Sequence, residues 1–588
     1  MTTALGADWW RHAVIYQIYP RSFADANGDG MGDLAGIRSR LPYLAALGVD
    51  AVWLSPFYRS PMADAGYDVA DYRAVDPAFG DIHDVEALVH EAHAQGLRVI
   101  IDIVPNHTSD EHAWFAEALA QGVPDGEGVA ARTRYAEGAW RHYHLLRGQG
   151  EGGAQPPTDW LGVFGGLAWT QLDDAAGRPS GWWYLHLFDA KQPDLDWDER
   201  EVREEFLDIL RFWFDRGVDG FRIDVAHGLA KDTTYPDAHG DPSLPTHRPV
   251  DATDANEPGP YWDQPGVHEI FREWRAVADS YDPPRVFVGE VWVPTAEAHA
   301  RYLRPDELHT AFNFHSLQSP WWAEGLRRTI DDSIAAHAQV GAPTTWVLEN
   351  HDVWRTPTRY APVEGAAEET SPKVGDLRAP ADPDGLRRDL VRGTARARAG
   401  ILTMLALPGS AYLYQGQELG LYEVLDLPAE ARQDPVFFRT GGIALGRDGC
   451  RVPIPWRGDR PSYGFGPGEA SWLPQPDDWG RLSVEAQRDT AGSTFETVRA
   501  ALALRRAEPA LGDGTMTWDE HDLGRTVLAF TRPAREGGPA VRCVVNMGES
   551  DVSLPAEWGD AVLLASAAVT TGDGTVLLPR DTTVWLRS

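Results

Sequence analysis

The sequence predicts an α/β chain: a (β/α)8 TIM barrel with a small domain inserted after its third strand and a C-terminal all-β sandwich. Three observations predict it. Short apolar runs of strand character alternate with helical segments between residues 14 and 414, and eight such runs occur, the number a barrel needs. The alternation breaks between His107 and about Gly181, in a stretch rich in Gly, Pro and Trp that is too long for a plain loop. From about Gly512 the pattern changes to short strands alone. The expected domains are therefore residues 1–107 with 182–511, residues 108–181, and residues 512–588.

Taken in order, residues 14–20 form a strand signal closed by Pro20. A helix over 34–47 ends at Gly48, and residues 49–56 give the second strand. A helix over 84–95 is capped by Gly96. The third strand, 97–104, is almost continuously apolar, as strands covered on both faces of a parallel sheet are. After the insertion come a helix (201–214), a strand ending at Asp224, a helix (267–279) and strands at 285–290, 309–314 and 344–349. A long helix (386–407) and a last strand (410–414) complete the count, and 422–489 shows little periodicity. Short strands follow at 526–530, 541–545 and 561–564.

With 588 residues and 43% hydrophobic content the chain can bury large cores. Its 53 Lys and Arg against 88 Asp and Glu leave a net charge of −35, which repels nucleic acid and anionic membranes. Two cysteines, Cys450 and Cys543, build no disulfide framework and no zinc pattern. Residues 1–10 lack the apolar run of a secretory signal, and no apolar stretch is long enough to span a bilayer. A soluble, cytoplasmic protein is expected, with no nucleic-acid or membrane partner and no organic cofactor; the oligomeric state is left open.

One loop reads as a cation site. Asp25, Asn27, Asp29, Met31 and Asp33 occupy alternate positions, with Gly30 at the sixth place, as in a loop that wraps a hard cation. The twelfth place is Gly36, so it is not an EF-hand; Asp33 at the ninth could close the shell. One structural Ca2+ or Mg2+ is expected, the alternative being an Asx-rich turn.

The chemistry gathers where strands end. His107, Asp224, Glu290, His351 and Asp352 all lie at or just past a strand C-terminus, where barrel active sites are built. Arg222 and Asp224 point the same way, because alternate strand residues share a face. The guanidinium favours an ionised Asp224, as a covalent nucleophile at a sugar carbon must be. Glu290 follows an apolar run and lies near other acids, conditions that keep a general acid protonated.

These stretches resemble a known family. Asp102-Ile103-Val104-Pro105-Asn106-His107, Gly220-Phe221-Arg222-Ile223-Asp224, Val288-Gly289-Glu290-Val291-Trp292 and Glu349-Asn350-His351-Asp352 match, in order, an α-glucosidase of the α-amylase superfamily, glycoside hydrolase family 13. The resemblance implies a retaining exo-acting α-glucosidase on short α-glucosides, with Asp224 as nucleophile, Glu290 as acid/base and Asp352 stabilising the transition state. It also implies that His107, Arg222 and His351 hold the terminal glucose, joined by Tyr67, Phe164, Phe188 and Gln192. Gly66-Tyr67-Asp68 resembles the motif whose Asp caps the outer hydroxyls, and residues 447–456 the segment that supplies an Arg, here Arg451. Gln192-Pro193-Asp194-Leu195-Asp196-Trp197 resembles the mark of the oligo-1,6-glucosidase-like group, in which the 25–33 loop holds a metal. In that group Val after the nucleophile accompanies α-1,6 bonds. Here Val225 is followed by Ala226-His227-Gly228 instead of an apolar residue and Asn, so the linkage stays open. A transglucosylase or sugar isomerase would use the same first step. A polymer-cutting amylase would need an open cleft, whereas the Asp68 and Arg451 matches imply a closed pocket. The 232–263 loop is expected near the leaving group.

Overall fold

The computed structural model describes residues 6–239, 259–362, 388–535 and 537–588; most of the 232–263 loop lies outside them. Eight strands form one all-parallel sheet: β1 Val14–Ile18, β2 Ala51–Leu54, β3 Arg98–Ile103, β4 Gly220–Ile223, β5 Val286–Gly289, β6 Thr310–Ala311, β7 Thr345–Val347 and β8 Ser410–Tyr414. Their order is β6-β5-β4-β3-β2-β1-β8-β7. At the seam between the two end strands, the Asn313 N–H donates to the Thr345 carbonyl at 3.2 Å. The sheet is a nearly closed barrel.

The strand period of two sorts side chains to opposite faces. Val14, Tyr16, Ile18, Val99, Ile101, Phe221 and Ile223 join the large core under the helices. Ile15, Trp53, Ile100, Val286, Val288, Val347 and Tyr412 form a separate cluster on the other face, the barrel interior. The same alternation brings Asp102 and Arg222, paired across β3 and β4, to the top of that interior.

The helices α1 Leu34–Leu47, α2 Ile82–Ala94, α3 Arg200–Phe214, α4 Val267–Asp279, α5 Ala323–Val340, α6 Leu390–Ala406 and α7 Thr494–Ala507 accompany the strands. Asp33 caps α1 by accepting from the Gly36 N–H, and Gly48 ends it at φ 100°, a left-handed conformation that suits glycine. Two helices, α5 and α7, went unpredicted. The buried face of α5 is Ala323, Ile330, Ser333, Ala336 and His337, with Leu326, Ile334 and Val340 packed on the core beside it, an apolar stripe interrupted by serine and histidine. The strand expected at 309–314 is only two residues long, and a short helix begins at Phe314.

The segment after β3 carries its own antiparallel sheet, Leu145–Arg147, Pro179–Leu185 and Trp169–Asp173. Its central strand continues past residue 181, the expected end of the insertion. Beyond α7, five strands and a second sheet of three are all antiparallel. The five-stranded sheet is tied to α6, where Trp585 Nε1 donates to the Leu402 carbonyl at 3.1 Å. Among the described residues no helix is long and apolar enough to cross a membrane.

The loops after β7 and β8 are joined by a buried charge cluster. Arg355 donates from its N–H to Glu423 at 2.9 Å and from its guanidinium to the carbonyls of Gln415 and Cys450. Burial pushes the Glu423 carboxyl up to about 8. A carboxyl raised on folding stabilises fully below its unfolded value, and that stability is lost as pH rises through the folded one. Glu423→Gln, which keeps the shape and never ionises, is therefore expected to gain on wild type by about 2–4 kcal/mol between pH 5 and pH 8. Thermal unfolding of both proteins across that range checks this, and parallel curves would refute it.

Candidate active site

The four strand-end motifs converge on one pocket. It is lined by Asp64, Tyr67, His107, Val163, Phe164, Phe188, Asp224, Val225, His227, Trp262, Glu290, Trp292, Asp352 and Arg447. Asp224 and Glu290 are each 7% exposed and Asp352 8%, so all three are desolvated yet reachable.

One guanidinium organises the floor. Arg222 Nη1 donates to Asp224 Oδ1 at 2.6 Å and to Asp102 Oδ1 at 2.9 Å, and Nη2 donates to Glu290 Oε2 at 2.7 Å. Its guanidinium carbon sits 5.1 Å from the centre of the Trp53 ring. Glu290 also accepts from the Val225 N–H at 3.1 Å and from Trp292 Nε1 at 2.8 Å. Val225 adopts φ 45°, a costly conformation for a β-branched residue, immediately after Asp224.

The charge on Asp224 is set by more than Arg222. Burial raises its carboxyl well above the usual range; Glu290 and Asp102 push the same way, and Arg222 opposes them. Asp102 is likewise raised by burial, to about 7. Three carboxylates share a single guanidinium, so the cluster retains a proton near neutral pH. Asp224 and Glu290 are hydrogen-bonded to each other, and that proton belongs to the pair.

The imidazoles are neutral. Burial lowers His107 to about 4 and His351 to about 3. Gln17 Nε2 donates to His351 Nδ1 at 2.7 Å, which leaves the proton on Nε2 facing the Tyr67 hydroxyl at 2.6 Å. Tyr67 in turn donates to Asp102 Oδ2 at 3.2 Å.

Tyr67, His107, Phe164 and Phe188 face the cavity as expected. Gln192, Arg222 and His351 stand directly behind its wall; the Gln192 amide lies 3.0 Å from His107 Nε2. Two residues were misassigned. Asp68 is fully buried, its carboxylate turned inward to accept the N–H groups of Ala63 and Asp64 at 2.7 and 2.9 Å. Asp64, four positions earlier, lines the pocket in its place. Arg451 is spent on the His351 carbonyl and Asp352, at 2.9 and 3.0 Å. Arg447 is the arginine at the wall: it donates to Asp64 at 2.8 Å, Asp352 at 3.1 Å and Asp434 at 2.6 Å. Val163, His227 and Trp262 also line the cavity and were not singled out; His227 stacks on Trp262 at 4.8 Å. Asp64→Ala is expected to lower kcat/KM about 100-fold or more, through the loss of charge-assisted hydrogen bonds. Asp68→Asn, which disturbs a loop anchor, should act mainly on stability. Kinetics and unfolding of both variants check the exchange of roles.

In the 25–33 loop the side chains fold onto the backbone. Asp25 accepts from the Gly28 and Gly30 N–H groups, Asn27 from Asp29, Asp29 from Met31, and Asp33 from Ala26 and Asn27. Among the described residues no three Asp, Glu, His or Cys side chains converge to hold an ion. The side-chain donors of the loop, on Asp25, Asn27, Asp29 and Asp33, are hard oxygens, of the kind that suits Ca2+ or Mg2+ better than a softer metal.

Comparison with known proteins places the chain in a family. The profile of the α-amylase catalytic domain matches residues 17–374 and 387–514. A Rhizobium meliloti (strain 1021) protein named "Probable alpha-glucosidase" is 36% identical over 92% of this chain and 90% of its own. The oligo-1,6-glucosidase of Heyndrickxia coagulans is 31% identical over 98% and 99%. Among solved structures, the α-glucosyl transfer enzyme XgtA superposes with a TM-score of 0.78 at 35% identity, covering 98% of this chain and 99% of that one. Trehalulose synthase MutB from Pseudomonas mesoacidophila MX-45 gives 0.79 at 28% identity, covering 99% and 100%. With the barrel, its insertion and the acidic pocket in place, the chain belongs to the α-amylase superfamily, glycoside hydrolase family 13, and is a glycoside hydrolase with α-glucosidase and oligo-1,6-glucosidase relatives.

Proposed function

We propose that this chain is a retaining exo-α-glucosidase that removes terminal α-D-glucosyl residues from short α-glucosides through a covalent intermediate on Asp224. The observation that supports it is the Arg222 bridge, which holds Asp224 and Glu290 side by side while Asp352 faces the same cavity. Asp224 attacks the anomeric carbon as Glu290 passes the pair's proton to the departing oxygen. Glu290, now ionised, then draws a proton from water, which displaces Asp224 with a second inversion. Asp352, braced by Arg447 and Arg451, accepts sugar hydroxyls as charge builds on the ring. The Asp64–Arg447 pair walls the pocket, so only a chain end enters. Proton NMR of early product should show α-glucose, and maltose should be cleaved faster than soluble starch. Initial β-glucose, or preference for starch, would end this reading.

A second reading, glucosyl transfer to a hydroxyl acceptor, is favoured by the apolar surface of Val225, Trp262 and Trp292 and by the likeness to XgtA. Chromatography of products at high substrate separates the two: oligosaccharides or new glucosides indicate transfer, and glucose alone excludes it.

The reading includes a structural Ca2+ or Mg2+ held through Asp25, Asn27, Asp29, Asp33 and the Met31 carbonyl. Chelation should lower the unfolding midpoint by a few degrees, and added Ca2+ or Mg2+ should restore it. An unchanged midpoint removes the metal from the account. A cytoplasmic location belongs to the same reading and is checked by cell fractionation.

A further inference from the structure

Beside the 25–33 loop, and sharing no residue with the catalytic pocket, lies a second cleft of about 360 Å3. It is lined by Arg40, Arg457, Arg460, the 464–468 turn and Asp25. Its charge is anomalous for this chain. The protein carries a net −35, and arginines elsewhere commonly pair with carboxylates, as Arg38, Arg73, Arg98 and Arg141 do. Among the described residues, the guanidiniums of Arg40, Arg457, Arg460 and the nearby Arg488 make no ion pair and no hydrogen bond.

Arg40 is the most constrained of the four. It stacks on Trp456, with its guanidinium carbon 4.2 Å from the ring centre, and its Nε is buried without a partner. Burial, with repulsion from Arg457 and Arg488, lowers its affinity for its own proton. Leaving like charges together in a half-buried cleft is unfavourable, and an anion between them reverses the sign of the interaction. The one acid in the lining, Asp25, pairs with none of them; its oxygens accept the Gly28 and Gly30 N–H groups of the 25–33 loop. The rim is also set by local strain. Ser462, Tyr463 and Gly464 are consecutive left-handed residues, and a Cβ on Gly464 would come within 3.3 Å of the Arg457 side chain.

We propose that this cleft binds a tetrahedral oxyanion of the phosphate class, gripped by Arg40, Arg457 and Arg460. Guanidinium forks match phosphate oxygens in pairs, and three of them suit a dianion better than chloride or a carboxylate. The ligand is free orthophosphate or the phosphate of a phosphorylated sugar. The segment from Arg451 to Arg457 leads directly from the catalytic pocket to this cleft, so an occupant would stiffen the strand of chain that braces Asp352.

The test uses the whole protein and three salts at matched ionic strength: orthophosphate, glucose 6-phosphate and chloride. At about 10 mM, orthophosphate is expected to raise the unfolding midpoint by about 1–3 °C over chloride, with binding visible by calorimetry. Arg457→Ser with Arg460→Ser removes two exposed side chains, so the fold survives. This variant should bind orthophosphate about tenfold more weakly or worse, with hydrolysis of p-nitrophenyl α-glucoside unchanged. Tighter binding of glucose 6-phosphate than of orthophosphate, lost in the double variant, assigns the site to a sugar phosphate; weaker or equal binding assigns it to the free ion. Equal midpoints in orthophosphate and chloride, or an undiminished response in the double variant, overturns the proposal.

Discussion

Asp224→Asn is expected to lower kcat/KM for maltose and for p-nitrophenyl α-glucoside alike, by about 10^4-fold or more, equivalent to roughly 5.5 kcal/mol of transition-state stabilisation. The amide keeps the size of the side chain and can still meet the Arg222 guanidinium, but it cannot form the ester with the anomeric carbon. The loss should fall on kcat, with KM changed little, since the pocket wall of Tyr67, His107 and Asp64 is untouched. The fold should persist, because the change removes one of three carboxylates that crowd a single arginine. Steady-state kinetics with both substrates, alongside unfolding, is the check. A loss of less than tenfold would remove Asp224 from the covalent role.

Glu290→Gln should separate those two substrates. The glucose that departs from maltose is a poor alkoxide leaving group and needs a proton, so cleavage of maltose is expected to fall by about 10^3-fold, within the usual worth of general acid catalysis. p-Nitrophenolate leaves without help, so formation of the intermediate from the aryl glucoside should fall far less, and a burst of nitrophenol should precede a slow steady state. The glutamine keeps the shape of the side chain, and its single carbonyl oxygen can accept either the Trp292 Nε1–H or the Val225 N–H and Arg222 contacts, which go to different oxygens of Glu290. Equal losses on both substrates would mean that Glu290 does something other than protonate the leaving group.

Much of this architecture is legible in the chain because the signals are local. The eight strands announce themselves as apolar runs, and the helices at Leu34–Leu47 and Val267–Asp279 follow their periodicity residue for residue. The helix Ala323–Val340 is less plain, because serine and histidine interrupt the stripe of Leu326, Ile330, Ile334 and Val340 that packs on the core. At the site, the strand-end carboxylates were legible from position alone. Which of two acids four apart, Asp64 or Asp68, reaches the cavity was not: the choice is made by backbone amides that fold back on Asp68. Arg447 and Arg451 pose the same problem on one short helical turn. The protonation of Asp224 also depends on burial and on Asp102 and Glu290, which come from other strands, so the local pairing with Arg222 gives only part of the balance.

A glucosyl ester at one carboxylate is the intermediate on which the proposed mechanism depends, and trapping it is the most direct test. A slow-reacting fluorinated glucosyl fluoride, incubated with the Glu290→Gln protein and followed by proteolysis and peptide mass spectrometry, should place the sugar on the peptide that carries Asp224. A label on Asp352 or Asp102, or turnover that gives β-glucose with no ester at all, would contradict it.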